Sequence, residues 1–187
     1  MNVSRDHIGA SVVAVHRSGQ HAFSKKQVDH VDLVAGVGVS NDVHAGALVK
    51  HRSRVLADPK QPNLRQVHLI HDELFADLER QGFSVAPGDL GENITTAGLE
   101  LLALPVGTSL RLGEAALVVL TGLRNPCQQI NEFQNGLLPA VIDTTKPGEP
   151  RKLAGVMGVV VQSGEVRAGN PIDVALPPKP HYPLERV

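Results

Sequence analysis

Apolar and polar residues alternate over short stretches of this chain, a pattern typical of half-buried β-strands. Three valines fall within residues 10–16, residues 28–34 alternate in the same way, and residues 65–70 form a further apolar run. Glycines at positions 36 and 38 end the second of these runs. The pattern therefore predicts short strands rather than long helices in the first part of the chain.

Two turn signals in the second half of the chain predict β-hairpins. Gly113-Glu114 separates apolar residues 109–112 from residues 115–121, and a glycine at the first position suits a two-residue hairpin turn. Ser163-Gly164 separates residues 155–161 from residues 165–166 in the same manner. Each signal predicts that the two flanking runs pair with each other.

One segment, residues 72–81, has a helical pattern instead. Leu74 and Leu78 are four residues apart, acidic residues occupy the first turn, and Gly82 follows as a C-terminal cap. A short helix is also predicted within residues 125–133, with Pro126 in its first turn.

The composition points to the same fold class. Aromatic residues make up only 3% of the 187 residues, so the core must come from Val, Leu, Ile and Ala, while 18 Gly and 13 Pro supply turns. We expect one mostly β domain over residues 1–187, an antiparallel β-barrel or sandwich with a few helices. Residues 40–63 are predicted to form a long loop, and the Pro-rich residues from 177 onward a tail.

Charge and cysteine usage exclude several classes of partner and site. Lys and Arg total 18 against 19 Asp and Glu, which gives no general attraction to nucleic acid or to anionic membranes. Residues 1–7 lack the apolar stretch of a signal peptide, and no apolar run reaches membrane-spanning length. A single cysteine excludes an internal disulfide and a Cys-rich zinc site. We therefore expect a cytoplasmic protein without nucleic-acid or membrane partners.

The single thiol, Cys127, is the strongest candidate for chemistry. It follows Arg124-Asn125-Pro126 at the predicted start of a helix, where unpaired N–H groups and the neighbouring Arg124 favour a thiolate. A thiolate is both a nucleophile and a soft metal ligand. The alternative is a small buried hydrophobic residue, since free cysteines are often buried.

Other polar positions are ambiguous on their own. Asp42 and His44 can serve as acid and base or as metal ligands, or they can simply shape a turn. Glu92 and Asn93 follow a turn-rich stretch and suit either a pocket wall or a loop network. Lys26, the second of two adjacent lysines, is either exposed or a phosphate contact.

Taken together, five segments resemble the MOSC domain, the C-terminal domain type of molybdenum-cofactor sulfurases, which also occurs as small stand-alone bacterial proteins. The resemblance covers roughly residues 10–175 and leaves residues 176–187 as a tail. Gly-Glu-Asn together with Arg-x-Pro-Cys is its most specific part. The matching segments, in order along the chain, are residues 42–46, 87–94, 104–108, 124–127, and 164–172.

The resemblance implies a β-barrel that binds the molybdenum cofactor, molybdopterin, with Cys127 binding molybdenum or carrying sulfur. It also places Lys26 and Arg124 near the cofactor phosphate, adds Asn93 to the cofactor-binding residues, and makes Asp42 and His44 candidate catalytic residues. The chain departs from the family where Ser40-Asn41 replaces a common Gly-Asp, and where Asn170 stands at a position often occupied by Asp.

Three functions follow from the resemblance. The first is reduction of a small N-hydroxylated or related N–O substrate, with electrons from a separate reductase protein because the chain has no flavin or iron–sulfur motif. The second is a sulfur carrier with a Cys127 persulfide, and the third is a cofactor-binding module without turnover. Because the cofactor carries a phosphate, the pocket around Cys127 is predicted to be cationic.

Overall fold

A computed structural model describes residues 9–50, 55–56, 58–145, 148 and 150–187. The predicted polar amino terminus, and residues 51–54 and 57 of the predicted long loop, lie outside the described residues. The helices are α1 (Glu73–Arg80), α2 (Gln129–Phe133) and α3 (Leu137–Ala140). The strands are β1 (Ser11–Arg17), β2 (Lys26–Val28), β3 (His30–Val34), β4 (Gly38–Val39), β5 (Val67–His71), β6 (Ile94–Ala97), β7 (Ser109–Leu112), β8 (Ala116–Leu123), β9 (Ile142–Asp143), β10 (Arg151–Lys152), β11 (Val156–Gln162), β12 (Gly164–Arg167) and β13 (Ile172–Ala175).

The main sheet has eight strands in the order β13-β7-β8-β11-β5-β6-β1-β2. A second sheet pairs β12, β3 and β4, and β9 pairs with β10. The chain is therefore mostly β with few helices, as predicted. The eight-stranded sheet is not closed into a barrel, because its end strands β13 and β2 do not pair, so the barrel prediction is not confirmed.

The predicted antiparallel arrangement does not hold at one pair, β5 and β6, which run parallel. Helix α1 lies between these two strands in sequence and carries the chain back to the starting end of the sheet, as a parallel connection requires. The predicted helix itself is confirmed. Its buried face consists of Leu74, Phe75 and Leu78, and Gly82 follows it with a φ of 88°.

One predicted hairpin is confirmed and the other is wrong. β7 and β8 pair with Leu112 opposite Ala116, so the loop has three residues rather than the predicted two. β11 and β12 do not pair, although Ser163-Gly164 looks like a hairpin turn. β12 instead pairs with β3, with Val166 opposite Val31, because the chain turns from the main sheet into the second sheet at this point.

Two apolar clusters form the core. The larger one is built almost entirely from Val, Leu, Ile and Ala of the strands, as the composition predicts. The smaller one packs α1, α2 and α3 against Ile70 and Leu90. Within the described part of the chain, no helix has both the length and the apolar character needed to cross a membrane.

The segment predicted to be a tail returns to the main sheet at residues 182–187, which we call the strap. Leu184 is buried and joins the larger core cluster. Val106 donates a backbone hydrogen bond to Tyr182, and Leu123 donates one to Glu185. The strap therefore lies along the end of β8, directly before the segment that contains Cys127.

Candidate functional site

A pocket of about 490 Å³ opens beside Cys127. Its wall combines residues from the loop between β1 and β2, from the turn after β4, from β5, from the loop before β6 and from the strap. The basic side chains in its lining are Lys25, Lys50, Arg65, Arg124 and Arg186. None of the described residues that line it is Asp or Glu, so the lining has the cationic character predicted from the sequence.

Cys127 lies in a segment without regular secondary structure that joins β8 to α2. The predicted short helix begins later than expected, at Gln129, so Cys127 precedes a helix of only five residues rather than occupying its first turn. Its side chain is partly exposed, and Sγ lies 3.7 Å from Oε1 of Gln129. The thiol therefore faces the pocket without being covered by the core.

Arg124 brings a buried positive charge to the same pocket. It is only 8% exposed, and among the described residues no group accepts a hydrogen bond from its Nη1. Its guanidinium carbon lies 5.9 Å from the ring centroid of Phe23. Burial lowers the pKa of Arg124, while the proximity of Cys127 and Glu92 opposes this, and a guanidinium keeps its proton in proteins. Burying an unsatisfied charged donor is costly, and an anionic partner at Nη1 would offset that cost.

Asp42 organises the opposite wall. One of its carboxylate oxygens lies 2.7 Å from Nζ of Lys25 and accepts a hydrogen bond of 3.0 Å from Asn93. The other lies 3.3 Å from Nδ1 of His44 and accepts its backbone N–H. Burial raises the pKa of Asp42, but the contacts with His44 and Lys25 outweigh it and hold the pKa well below its usual range. The carboxylate is therefore ionised and fixes both side chains at the pocket.

The loop before β6 explains the Gly-rich motif around Glu92. Gly88 has a φ of 91°, and a Cβ there would lie 2.6 Å from the carbonyl oxygen of Lys25. Gly91 also has a positive φ, and a Cβ there would overlap the carbonyl oxygen of Phe23. Lys25 in turn donates its backbone N–H to Gly88 at 2.8 Å. The two glycines let this loop lie directly against residues 23–25 and so position Lys25.

The structure does not bring all the predicted residues together. Lys26 is exposed in β2 and does not line the pocket, whereas Lys25, immediately before that strand, is buried and does. Asn93 lines the pocket, but its amide donates to His16 and Asp42 and accepts from the backbone of His68. We therefore regard Asn93 as a positioning residue rather than a cofactor contact.

Sequence analysis missed several pocket residues, among them His68, Met157 and Arg186. His68, in the apolar run of residues 65–70, lines the pocket, where its Nε2 lies 2.8 Å from the carbonyl oxygen of Ala154. Burial and the charge of Arg124 lower the pKa of His68 well below its usual value, so it is neutral. Met157 and Arg186 also line the pocket. Met157 lies in a β-strand and Arg186 in a Pro-rich tail. Neither position has a sequence pattern that indicates a binding site.

The ring of His16 packs under the loop before β6, and its protonation makes the stability of the folded protein depend on pH. Its side chain is fully buried under Gly88, and among the described residues neither ring nitrogen has a hydrogen-bond partner. Burial, followed by the positive charge of Lys25, lowers the pKa of His16 to about 4. The folded protein therefore holds this ring neutral at pH values where the unfolded chain protonates it.

We expect His16→Leu to flatten the pH dependence of stability. The neutral ring contributes fully above pH 6.5, and its contribution is lost as the pH falls toward 4, since the unfolded state binds the extra proton. The wild type should lose roughly 1–2 kcal/mol more than the variant between pH 7 and pH 5. Urea unfolding at both pH values measures this, with the exposed His181→Leu as control. Parallel losses in wild type and His16→Leu would contradict it.

One group of possible metal ligands lies outside the pocket. His30, Asp32 and Glu165 lie on the second sheet, with their ligand atoms within 4.8 Å of one another. Arg167 already binds both carboxylate oxygens of Glu165, and both carboxylates are exposed. We assign no metal to this group.

Comparison with known proteins identifies the family. No curated protein matches the chain. Among solved structures, the chain is similar to the YuaD protein of Bacillus subtilis, with 23% identity, a TM-score of 0.70 and coverage of 88% of this chain and 94% of that one. It is also similar to YiiM of Geobacillus stearothermophilus, with 19% identity, a TM-score of 0.62 and coverage of 89% and 75%. A third similar structure is YiiM of Escherichia coli, with 21% identity, a TM-score of 0.60 and coverage of 91% of this chain and 72% of that one. The family model for the MOSC domain matches residues 41–173, and the chain therefore belongs to the MOSC domain family.

Proposed function

We propose that this protein binds the molybdenum cofactor and reduces N-hydroxylated or related N–O compounds. The observation that carries the proposal is the buried Nη1 of Arg124, which has no partner among the described residues and lines the same pocket as Cys127. A buried cation of this kind is stabilised by an anionic ligand. The MOSC family is associated with the molybdenum cofactor, whose phosphate is an anionic group of this kind.

The residues of the pocket fit this cofactor. Cys127 supplies a soft thiolate ligand for molybdenum, and Arg124 supplies a planar fork of donors for phosphate oxygens. A volume of about 490 Å³ is within the range of sites for small organic ligands. When bound, the cofactor supplies the two-electron redox chemistry, which none of the side chains in the pocket provides.

The side chains of the opposite wall suit proton delivery. Reduction of a hydroxylamine to an amine consumes two electrons and two protons and releases one water. His44 lines the pocket, and the Asp42 carboxylate 3.3 Å from its Nδ1 orients the ring. Asp42 itself is a positioning residue, since it does not line the pocket.

The electrons are proposed to come from a separate reductase protein. One cysteine provides too few thiolates for an iron–sulfur cluster ligated by cysteines. Electron transfer from the reductase requires both proteins in one compartment, which we propose to be the cytoplasm.

The second candidate function is a sulfur carrier. The partial exposure of Cys127 favours it, because a persulfide must reach an acceptor. A carrier needs neither a pocket of this size nor an unpaired buried Arg124, so we rank it below the oxidoreductase. A binding module without turnover would use the same contacts and is distinguished by the absence of substrate reduction.

The molybdenum and pterin content of the purified protein tests the proposal directly. Protein from molybdenum-replete cells should contain both in near-stoichiometric amounts, and it should reduce an N-hydroxylated substrate when supplied with electrons. Absence of molybdenum and pterin, with a persulfide on Cys127, would reject the proposal in favour of the sulfur carrier.

Arg124→Gln should weaken cofactor retention about ten- to hundredfold, since a charge-assisted contact contributes about 1.5–3 kcal/mol. Pterin content after dialysis at fixed salt measures this, with unfolding curves to confirm that the variant folds. The exposed Arg151→Gln is the matched control and should retain cofactor as the wild type does.

The same assay separates the two adjacent lysines. We expect Lys26→Gln to behave as the Arg151→Gln control, because Lys26 is exposed outside the pocket. Loss of cofactor from Lys26→Gln would restore the assignment that the family resemblance implied.

A further inference from the structure

We propose that the strap, residues 182–187, completes the pocket by presenting Arg186 as a binding residue for an anionic group of the substrate. The proposal rests on the function proposed above and adds a substrate class to it: N–O compounds that carry a carboxylate or a phosphate. Arg186 lies outside residues 41–173, the span of the family match. It reaches the pocket only through the way the strap packs.

The strap is held against the end of β8 by specific contacts. Leu123 donates its backbone N–H to Glu185 at 2.7 Å and accepts one from Val187 at 3.4 Å, and buried Leu184 anchors the segment in the core. Gly122 permits this close approach. A Cβ on Gly122 would overlap the carbonyl oxygen of Glu185 and lie 2.8 Å from Cβ of Val187. The position of Arg186 is therefore fixed by a glycine in the neighbouring strand.

A second cation, Lys152, is held at the edge of the pocket by Asn125. Lys152 is partly buried and donates from Nζ to Oδ1 of Asn125 at 2.9 Å, and Asn125 lines the pocket next to Cys127. Burial and then the positive charge of Arg186 lower the pKa of Lys152. In the part of the chain that the structure describes, no salt bridge joins either side chain to a carboxylate.

The positive charge of Arg186 disfavours the charged form of Lys152, and an anion bound at Arg186 reduces that repulsion. This position differs from that of Arg124, which is buried, whereas Arg186 is exposed to solvent. The buried cation suits the phosphate of a permanently bound cofactor. The exposed Arg186 suits a group that enters and leaves with each substrate molecule, because solvent screening keeps binding there moderate.

The test compares two probes that differ by one anionic group, N-hydroxybenzamidine and its 4-carboxylate derivative. Dissociation constants for the purified protein are measured by titration calorimetry at fixed ionic strength and require no turnover. The wild type should bind the carboxylated probe about fivefold more tightly, an advantage typical of a partly screened ion pair. Arg186→Gln should abolish this preference and leave binding of the neutral probe unchanged.

Gly122→Ala provides an independent variant, because it keeps every charged side chain and displaces only the strap. It should also abolish the preference, and the double variant should show no further loss, since both changes remove one interaction. Lys179→Gln matches the charge change outside the pocket, and Gly19→Ala adds a methyl group where only an ordinary contact is met. Both controls should bind as the wild type does.

The outcomes separate this proposal from the function on which it rests. A wild type without preference for the carboxylated probe, or an Arg186→Gln variant that keeps the preference, overturns the role of Arg186. Loss of pterin from Arg186→Gln also overturns it, because the anion would then belong to the cofactor. Absence of molybdenum from the wild type rejects the proposed function, while the preference between the two probes still reports on Arg186.

Discussion

Cys127→Ala is expected to reduce the molybdenum content of the purified protein by more than about tenfold, since loss of even an outer-sphere partner weakens metal sites 10–100-fold. The physical reason is ligand softness. A thiolate suits a metal already bound by sulfur, whereas the nitrogen and oxygen donors of the pocket are harder ligands. Pterin should be lost less than molybdenum, because Arg124 remains to bind the phosphate. The molybdenum-to-pterin ratio, measured on the same sample, therefore reports on the thiol itself.

Met157→Leu is the matched control for that experiment. Met157 carries the other sulfur atom in the lining of the pocket, and leucine replaces it with little change in volume. The control should keep its molybdenum. If Cys127→Ala kept its metal while Met157→Leu lost it, the thioether would be the ligand, and the assignment of Cys127 would be wrong.

The family resemblance selected five residues that lie at or beside one pocket, because its motifs coincide with loops that meet there. Asp42, His44, Asn93, Arg124 and Cys127 are brought together by the fold, although 85 residues separate the first from the last. Their roles were harder to predict. Tertiary contacts decide which partner each carboxylate oxygen of Asp42 contacts. They also decide that the side-chain amide of Asn93 hydrogen-bonds to other protein groups.

The family resemblance implies Lys26 as a phosphate contact, whereas the structure places its neighbour Lys25 in the lining of the pocket. Successive residues of an extended chain point to opposite sides, so one of two adjacent lysines is buried while the other is exposed. The loop around Gly88 decides the matter, because it hydrogen-bonds to Lys25 and fixes that residue against Asp42. That contact spans 63 residues and has no local signal.

The fold was predicted where its signals are local in sequence and missed where they are not. The helix at Glu73–Arg80 was predicted well because its periodicity and caps are local. The pairing of β12 with β3 was not, since Ser163-Gly164 has the composition of a hairpin turn while the strand partner lies about 130 residues away.

Asn41, which replaces a common family residue, adopts a left-handed φ of 60°, a conformation that asparagine tolerates better than most residues.

The buried ion pair between Asp42 and Lys25 carries the largest expected effect on stability. Asp42→Ala should lower the free energy of unfolding by about 3–5 kcal/mol, the cost of removing one partner from a buried pair. Lys25 would remain only 8% exposed with its charge uncompensated. Asn93 and the backbone N–H groups of Ser18 and His44 would lose their acceptor as well. Urea unfolding at pH 7 measures the change.

Lys25→Met separates the ion pair from the hydrogen bonds. The carboxylate of Asp42 keeps its contacts with Asn93, Ser18 and His44 in this variant, so the loss of stability should be smaller than in Asp42→Ala. The double variant, Asp42→Ala with Lys25→Met, should lose less than the sum of the single changes, because the lysine no longer leaves an unpaired buried charge. A loss below about 1 kcal/mol in Asp42→Ala, the range of an exposed pair, would show that the pair is solvated and does not hold the wall of the pocket.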